Sequence, residues 1–296
     1  MSTVLPPPAR EALRPAVAEA DPWRPSGPCT PAACVGPPAA AAGRVARLAR
    51  FAGAVLMVLA GVPLALLGRA LDAPRRARLT GAWARLMLRA LGLRLEVAGP
   101  PPRPGALVVA NHTSWLDPLV IAAAVPSRPL AKRETAGWPV VGTLVAGAGA
   151  LFIDRERLYT LPSAVAAVAG ALRAGDTVVA FPEGTTWCGR GMGGFRPAMF
   201  QAAIDAGATV LPATLRYREG NDASTRACFV GEDSLLASLL RVSATRNLTV
   251  EVRLLAPVRP GLAGTRAALA GIAEARVSAG LGEPPVSRPC HGGRWR

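Results

Sequence analysis

The stretch ALVVANHTSWLDPLVIAAAV, residues 106–125, sets two uncharged apolar runs on either side of a short polar segment, NHTSWLD at 111–117. The first run, ALVVA, is short, rich in valine and apolar at every position, the pattern of a strand buried on both faces of a sheet. The second run, near 115–125, reads as a helix. His112 follows the strand directly and so falls at a strand's carboxyl end, where open α/β sheets place their ligands.

Working outward, strand-like runs recur at 93–99 (LRLEVAG), 151–154 (LFID), 177–181 (TVVAF), 209–217 (TVLPATLRY) and 248–255 (LTVEVRLL). Helical patterns lie between them near 138–147, 161–174 and 197–206, and SLLASLLRV at 234–242 adds an amphipathic helix. Alternating segments of this kind predict an α/β domain over 93–280 whose sheet is largely buried and flanked by helices.

Upstream, FAGAVLMVLAGVPLALLG at 51–68 runs eighteen residues without a charge, a rise of about 27 Å as a helix against a hydrocarbon core of ~30 Å. This predicts a membrane-associated segment. Arginines flank both ends, so the positive-inside rule leaves its orientation open, and a span, a re-entrant hairpin, an interfacial helix and a buried core helix all fit. Leu79, Trp83, Met87 and Leu91 share one helical face, and this second helix suits either the membrane or the core. Residues 44–92 are therefore taken as membrane-associated helices. Residues 1–43, rich in proline and alanine, and 281–296 read as loose tails.

The formal charge of +15 invites an anionic partner. Lys132 is the only lysine, aromatics make up only 5%, and no basic stripe interleaved with stacking residues occurs, so specific nucleic-acid binding is not expected. The five cysteines, Cys29, Cys34, Cys188, Cys228 and Cys290, are odd in number and scattered, unlike a secreted disulfide framework. Cys29 and Cys34 are close in the tail but supply two of the four ligands of a structural zinc, so no metal is expected there.

Only two histidines occur, and His291 lies in the C-terminal tail, leaving His112 as the candidate for chemistry. Asp117 follows five residues later, a spacing that on an ideal helix turns the two side chains apart by about 140°. The pair meets only if His112 precedes the helix. An imidazole beside a carboxylate suits a general base that removes a hydroxyl proton, although a structural hydrogen-bonded histidine fits the same two residues. FPEGTT at 181–186 again ends a strand, and GALFIDR at 149–155 ends in Arg155, a candidate fork for a phosphate.

Together with VLPATL at 210–215 and AKRE at 131–134, these segments, in this order, resemble the glycerolipid acyltransferase family, which includes lysophosphatidic acid (1-acylglycerol-3-phosphate) acyltransferases. The resemblance covers residues 83–255. It implies an α/β fold in the manner of that family, preceded by an N-terminal membrane-associated helical segment. It also implies transfer of a fatty acyl group from acyl-CoA or acyl-carrier protein, as co-substrate and without a cofactor, to the free hydroxyl of a lysophospholipid at the cell membrane, with the catalytic domain on the cytoplasmic side.

In that reading His112 and Asp117 are catalytic, and backbone donors at the strand-to-helix turns stabilise the oxyanion. Arg155, Glu183, Gly184, Thr185 and Thr186 bind the acceptor, and Pro212 shapes the acyl side. Thr186 departs from members that carry arginine there and is similar to acyltransferases acting on lyso-ornithine lipids; Arg190 or Arg196 are the alternative cations. A thioesterase or lipase lacks support because no GxSxG elbow is present. A non-catalytic membrane-binding protein with the same fold is the remaining alternative.

Overall fold

The computed structural model describes residues 27–154 and 157–282. A four-residue turn of helix, α1 (Pro31–Cys34), precedes two long helices, α2 (Arg44–Arg69) and α3 (Ala73–Ala90). Then β1 (Arg94–Ala98) and β2 (Leu107–Ala110) lead into α4 (Asp117–Ala124), and β3 (Arg128–Lys132) into α5 (Val141–Gly147). The chain continues through β4 (Leu151–Ile153), α6 (Leu161–Arg173), β5 (Val178–Ala180) and α7 (Ala198–Ala206). It closes with β6 (Val210–Glu219), the short β7 (Asp222–Ala223), α8 (Leu235–Ala244), β8 (Leu248–Leu254) and α9 (Arg266–Leu281).

The strands form one mixed sheet in the order β1-β8-β6-β2-β5-β3-β4, with β7 paired to β6. β2 runs parallel to both its neighbours, β5 and β6, whereas β8 returns antiparallel to β6. Central position explains the unbroken apolar run of 107–110. Val108 and Ala110 join the core under α3 and α4 on one face. Leu107 and Val109 join the core under α6, α7 and α9 on the other. Period-two alternation thus feeds two layers of core from one strand. The predicted α/β sheet flanked by helices is the fold observed.

Besides the short α1 and β7, β3 and α9 were not predicted. β3 pairs with its neighbours over only a few residues and carries a proline, so it has no alternating pattern to read. α9 has Ala-rich sequence of low amphipathic contrast, and its boundaries are set by Thr265, whose side chain accepts the Ala268 N–H at 3.2 Å, and by Gly282 at φ 73°.

The tail expectation fails for residues 27–43. Cys29 and Cys34 are buried, Ala42 donates to the Ala244 carbonyl at 2.8 Å, and Ala39 donates to the Glu219 carboxylate at 2.9 Å. Partners distant in sequence hold this segment, so local composition did not reveal it. Residues 1–26 and 283–296, with Cys290 and His291, lie outside the described residues.

α2 is long and apolar enough to cross a membrane, yet it lies along the domain and packs on α3, α5 and α8. Close approach is enforced by small residues. A Cβ on Gly68 would stand 2.9 Å from the Gly147 carbonyl oxygen, and Trp83 on α3 donates its indole N–H to the Met57 carbonyl at 2.9 Å. α3 sits as tightly on α4, since a Cβ on Gly81 would meet the Ala122 carbonyl oxygen at 2.7 Å. The outward face of α2 leaves Leu48, Leu56, Leu59, Leu66 and Leu67 exposed.

Candidate active site

The site forms where β2 and β5 end side by side. Asn111, the first residue past β2, is buried and spends both ends of its amide on β6. It donates to the Leu215 carbonyl at 2.9 Å and accepts the Leu215 N–H at 2.8 Å. This fixes the loop that follows against the central sheet.

α4 begins at Asp117, so His112 stands in the loop before it and the helical divergence does not apply. His112 Nδ1 lies 2.9 Å from Asp117 Oδ2. Asp117 is fully buried, whereas the His112 side chain keeps 19% of its surface open. The same Oδ2 accepts the backbone N–H groups of Thr113 at 2.6 Å and Ser114 at 2.8 Å. Oδ1 accepts the Tyr217 hydroxyl at 2.7 Å. A buried carboxylate with this many donors is compensated as an anion and has one geometry. On its other side the imidazole stacks on Phe181, with centroids 4.3 Å apart and planes 18° from parallel.

Tyr217 was missed by the sequence reading. Burial, and then the Asp117 charge, push its phenol well above the ordinary tyrosine value, so it stays a proton donor to the carboxylate. The signal was available: it is one of two tyrosines, and it follows Ala213 and Leu215 on one face of β6.

The loop after β5 supplies the second carboxyl. Glu183 is buried, and its two oxygens accept the His112 N–H at 2.6 Å and the Gly193 N–H at 2.7 Å. Burial raises its pKa well above the usual carboxylate value, against the lowering effect of those two backbone donors. Glu183 therefore braces the backbone of His112 from inside. Gly184 is buried at φ 78° in the turn that follows. Thr185 is half-buried, with its methyl facing Gly27 of the N-terminal segment. Thr186 turns its hydroxyl to the Phe229 carbonyl, and Trp187 donates its backbone N–H to the His112 carbonyl at 2.8 Å.

The structure thus brings His112, Asp117, Glu183 and the turn at 184–186 into one site. Arg155 lies outside the described residues. Arg190 and Arg196 are both exposed on the loop after Cys188. Pro212 is buried in β6 opposite Val109. Backbone donors at the strand-to-helix turns were expected to serve an oxyanion; at the turn after β2 the N–H groups of His112, Thr113 and Ser114 are engaged by Glu183 and Asp117. Trp115, on the loop between His112 and α4, donates to Ser238 on α8 at 3.1 Å, which places that helix beside the site.

Comparison with known proteins identifies the family. A family model described as Acyltransferase matches residues 94–216. The 1-acyl-sn-glycerol-3-phosphate acyltransferase of Neisseria gonorrhoeae is 40% identical over 167 residues, 56% of this chain and 66% of that protein. The lyso-ornithine lipid O-acyltransferase of Pseudomonas aeruginosa is 35% identical over 70% of this chain and 80% of its own length. That of Rhodobacter capsulatus is 31% identical over 83% and 94%. The fold matches the crystal structure of the 1-acyl-sn-glycerophosphate acyltransferase from Thermotoga maritima with a TM-score of 0.61 at 19% identity, over 80% of this chain and 94% of that one. With relatives above 30% identity matched over four fifths or more of their length, this chain belongs to the glycerolipid acyltransferase family.

Proposed function

We propose that this protein is an O-acyltransferase that moves a fatty acyl group from an acyl-CoA or acyl-carrier-protein thioester to the free hydroxyl of a lyso-lipid. The observation that carries the proposal is the open imidazole of His112 backed by the buried Asp117, itself held by Tyr217. Nδ1 faces the carboxylate, so Nε2 is the nitrogen that takes the acceptor's hydroxyl proton. The acceptor oxygen attacks the thioester carbon, the C–S bond breaks, and the leaving thiolate takes the proton from the imidazolium. Asp117 stabilises that imidazolium while the proton is held. No side chain of the protein is acylated.

The acceptor we assign is a lysophospholipid such as 1-acylglycerol-3-phosphate, giving phosphatidic acid. A lyso-ornithine lipid is a second reading, and a specific observation favours it: Thr186 brings no cation and commits its hydroxyl to Phe229. The Pseudomonas aeruginosa and Rhodobacter capsulatus relatives, matched over four fifths or more of their length, carry that activity in their names. In either case the exposed leucines of α2, with Leu235, Leu236 and Leu240 on α8, form the surface that rests on the bilayer. The site then opens to the cytoplasmic side, where acyl thioesters are available.

The test is to incubate membranes containing the protein with labelled acyl-CoA or acyl-carrier protein and a panel of lyso-lipids. Product that disappears with His112→Ala, while the protein stays membrane-bound, supports the reading; unchanged product removes it. Product from lysophosphatidate assigns the first acceptor. Product only from lyso-ornithine lipid assigns the second.

A further inference from the structure

Four buried cysteines from three segments of the chain gather beside the active-site loops, three of them close enough to share one ion and Cys228 in the same core cluster. Cys29 and Cys34 come from the N-terminal segment, Cys188 from the loop after β5 and Cys228 from the connection between β7 and α8. All four are buried and share one small core cluster with Trp187 and Val230. The sulfurs of Cys29, Cys34 and Cys188 lie within 4.8 Å of one another. In a tetrahedral zinc site with Zn–S bonds of about 2.3 Å, neighbouring sulfurs stand roughly 3.8 Å apart, so these three need only a small contraction.

Local structure prepares the set. Thr30 caps α1, and the Cys34 N–H donates to the Thr30 carbonyl at 3.0 Å, so a single turn carries Cys29 and Cys34 to the same place. Cys228 is held from behind by Arg241, which donates to its carbonyl at 2.6 Å and to Asp233 at 2.6 Å. Arg226 stands next to it and donates to the Gly36 carbonyl at 3.1 Å. Four thiolates around Zn²⁺ carry a net charge of −2, and the guanidiniums of Arg226 and Arg241, partly offset by Glu219 and Asp233, lie beside Cys228.

We propose that Cys29, Cys34, Cys188 and Cys228 form a structural zinc site that clamps the N-terminal segment to the two loops behind the catalytic histidine. One Zn²⁺ binds and four thiol protons leave, with no change of oxidation state. The sequence reading counted only the two tail cysteines; the other two arrive through the fold. The site is tied to the chemistry by short links. Cys188 follows Trp187, which donates to the His112 carbonyl, and Cys228 precedes Phe229, which donates to the Thr113 carbonyl at 2.9 Å.

The full chain, purified in detergent without chelator, is expected to contain one zinc per molecule by inductively coupled plasma mass spectrometry. Titration of its thiols with a mercurial should release that zinc in one-to-one amount. Cys34→Ser and Cys188→Ser should retain less than a tenth of it, and Cys290→Ser all of it. Where those variants do not fold, growth with cobalt decides on the unaltered chain, because tetrahedral thiolate ligation gives cobalt intense ligand-field and sulfur-to-metal absorption. Wild-type protein with no metal, with iron in place of zinc, with zinc unaffected by Cys188→Ser, or with disulfides among these cysteines by intact mass overturns the proposal.

Discussion

The loops after β2 and β5 are built alike and used differently. Each ends a buried parallel strand, and each carries a buried carboxyl that accepts backbone N–H groups. Asp117 also reaches an imidazole that is open to solvent, and through it can influence chemistry. Glu183 accepts from the backbone N–H groups of His112 and Gly193, so its work is to hold His112 in place. Two carboxyls a few ångströms from the same histidine thus divide into one that stabilises a charge and one that fixes a position.

The largest expected effect separates the imidazole from everything around it. His112→Ala should lower the rate of acyl transfer by about 10²–10⁴-fold and leave the melting temperature near that of the wild type, since the ring is partly exposed. A rate within a few-fold of wild type would show that both loops are structural. Tyr217→Phe removes one donor from Asp117 without changing packing volume. It should cost about 1–3 kcal/mol of stability and lower kcat with KM for the acceptor unchanged, as expected if Tyr217 acts through Asp117.

Glu183→Gln sharpens the comparison from the other side. One of its two acceptor sites becomes a donor facing a backbone N–H, so about 1–3 kcal/mol of stability should be lost, with a smaller loss of rate than at His112. Its pH dependence has a definite sign. Burial raises the Glu183 value in the fold above the ordinary 4.5, so the folded chain binds that proton more tightly than the unfolded one. Its stabilising contribution is complete below about 4.5 and declines as pH rises through the folded value. Melting curves from pH 4 to 8 should show this slope in the wild type and lack it in Glu183→Gln. The smallest effect on chemistry is expected at α2. Leu56→Glu with Leu59→Glu should release protein from vesicles in a flotation assay, with the rate on detergent-dispersed acceptor changed less than about 3-fold, because these side chains are mostly exposed.

Much of this was legible in sequence because it is local. The run at 107–110, the scarcity of histidine and the step from strand to helix placed His112 and Asp117 without any distant contact. What stayed hidden depends on residues brought together by the sheet. Tyr217 reaches Asp117 across a hundred residues of chain, and Asn111 reaches Leu215 in the same way. The direction of Glu183 stayed hidden for a related reason. A Pro-Glu-Gly turn states where a carboxyl starts, and only the neighbouring loop determines whether it points to a pocket or to buried N–H groups.

The glycines of α2 and α3 bear on how deep the proposed enzyme would ride in a lipid surface. Because Gly68 and Gly81 allow backbone-to-backbone approaches that no larger residue permits, the height of His112 relative to the exposed leucines is set by contact rather than by a flexible tether. A lyso-lipid hydroxyl sits at a fixed level just above the acyl chains. A single added methyl at Gly68 would raise the helix from its bed, and the reacting atoms would no longer share that level.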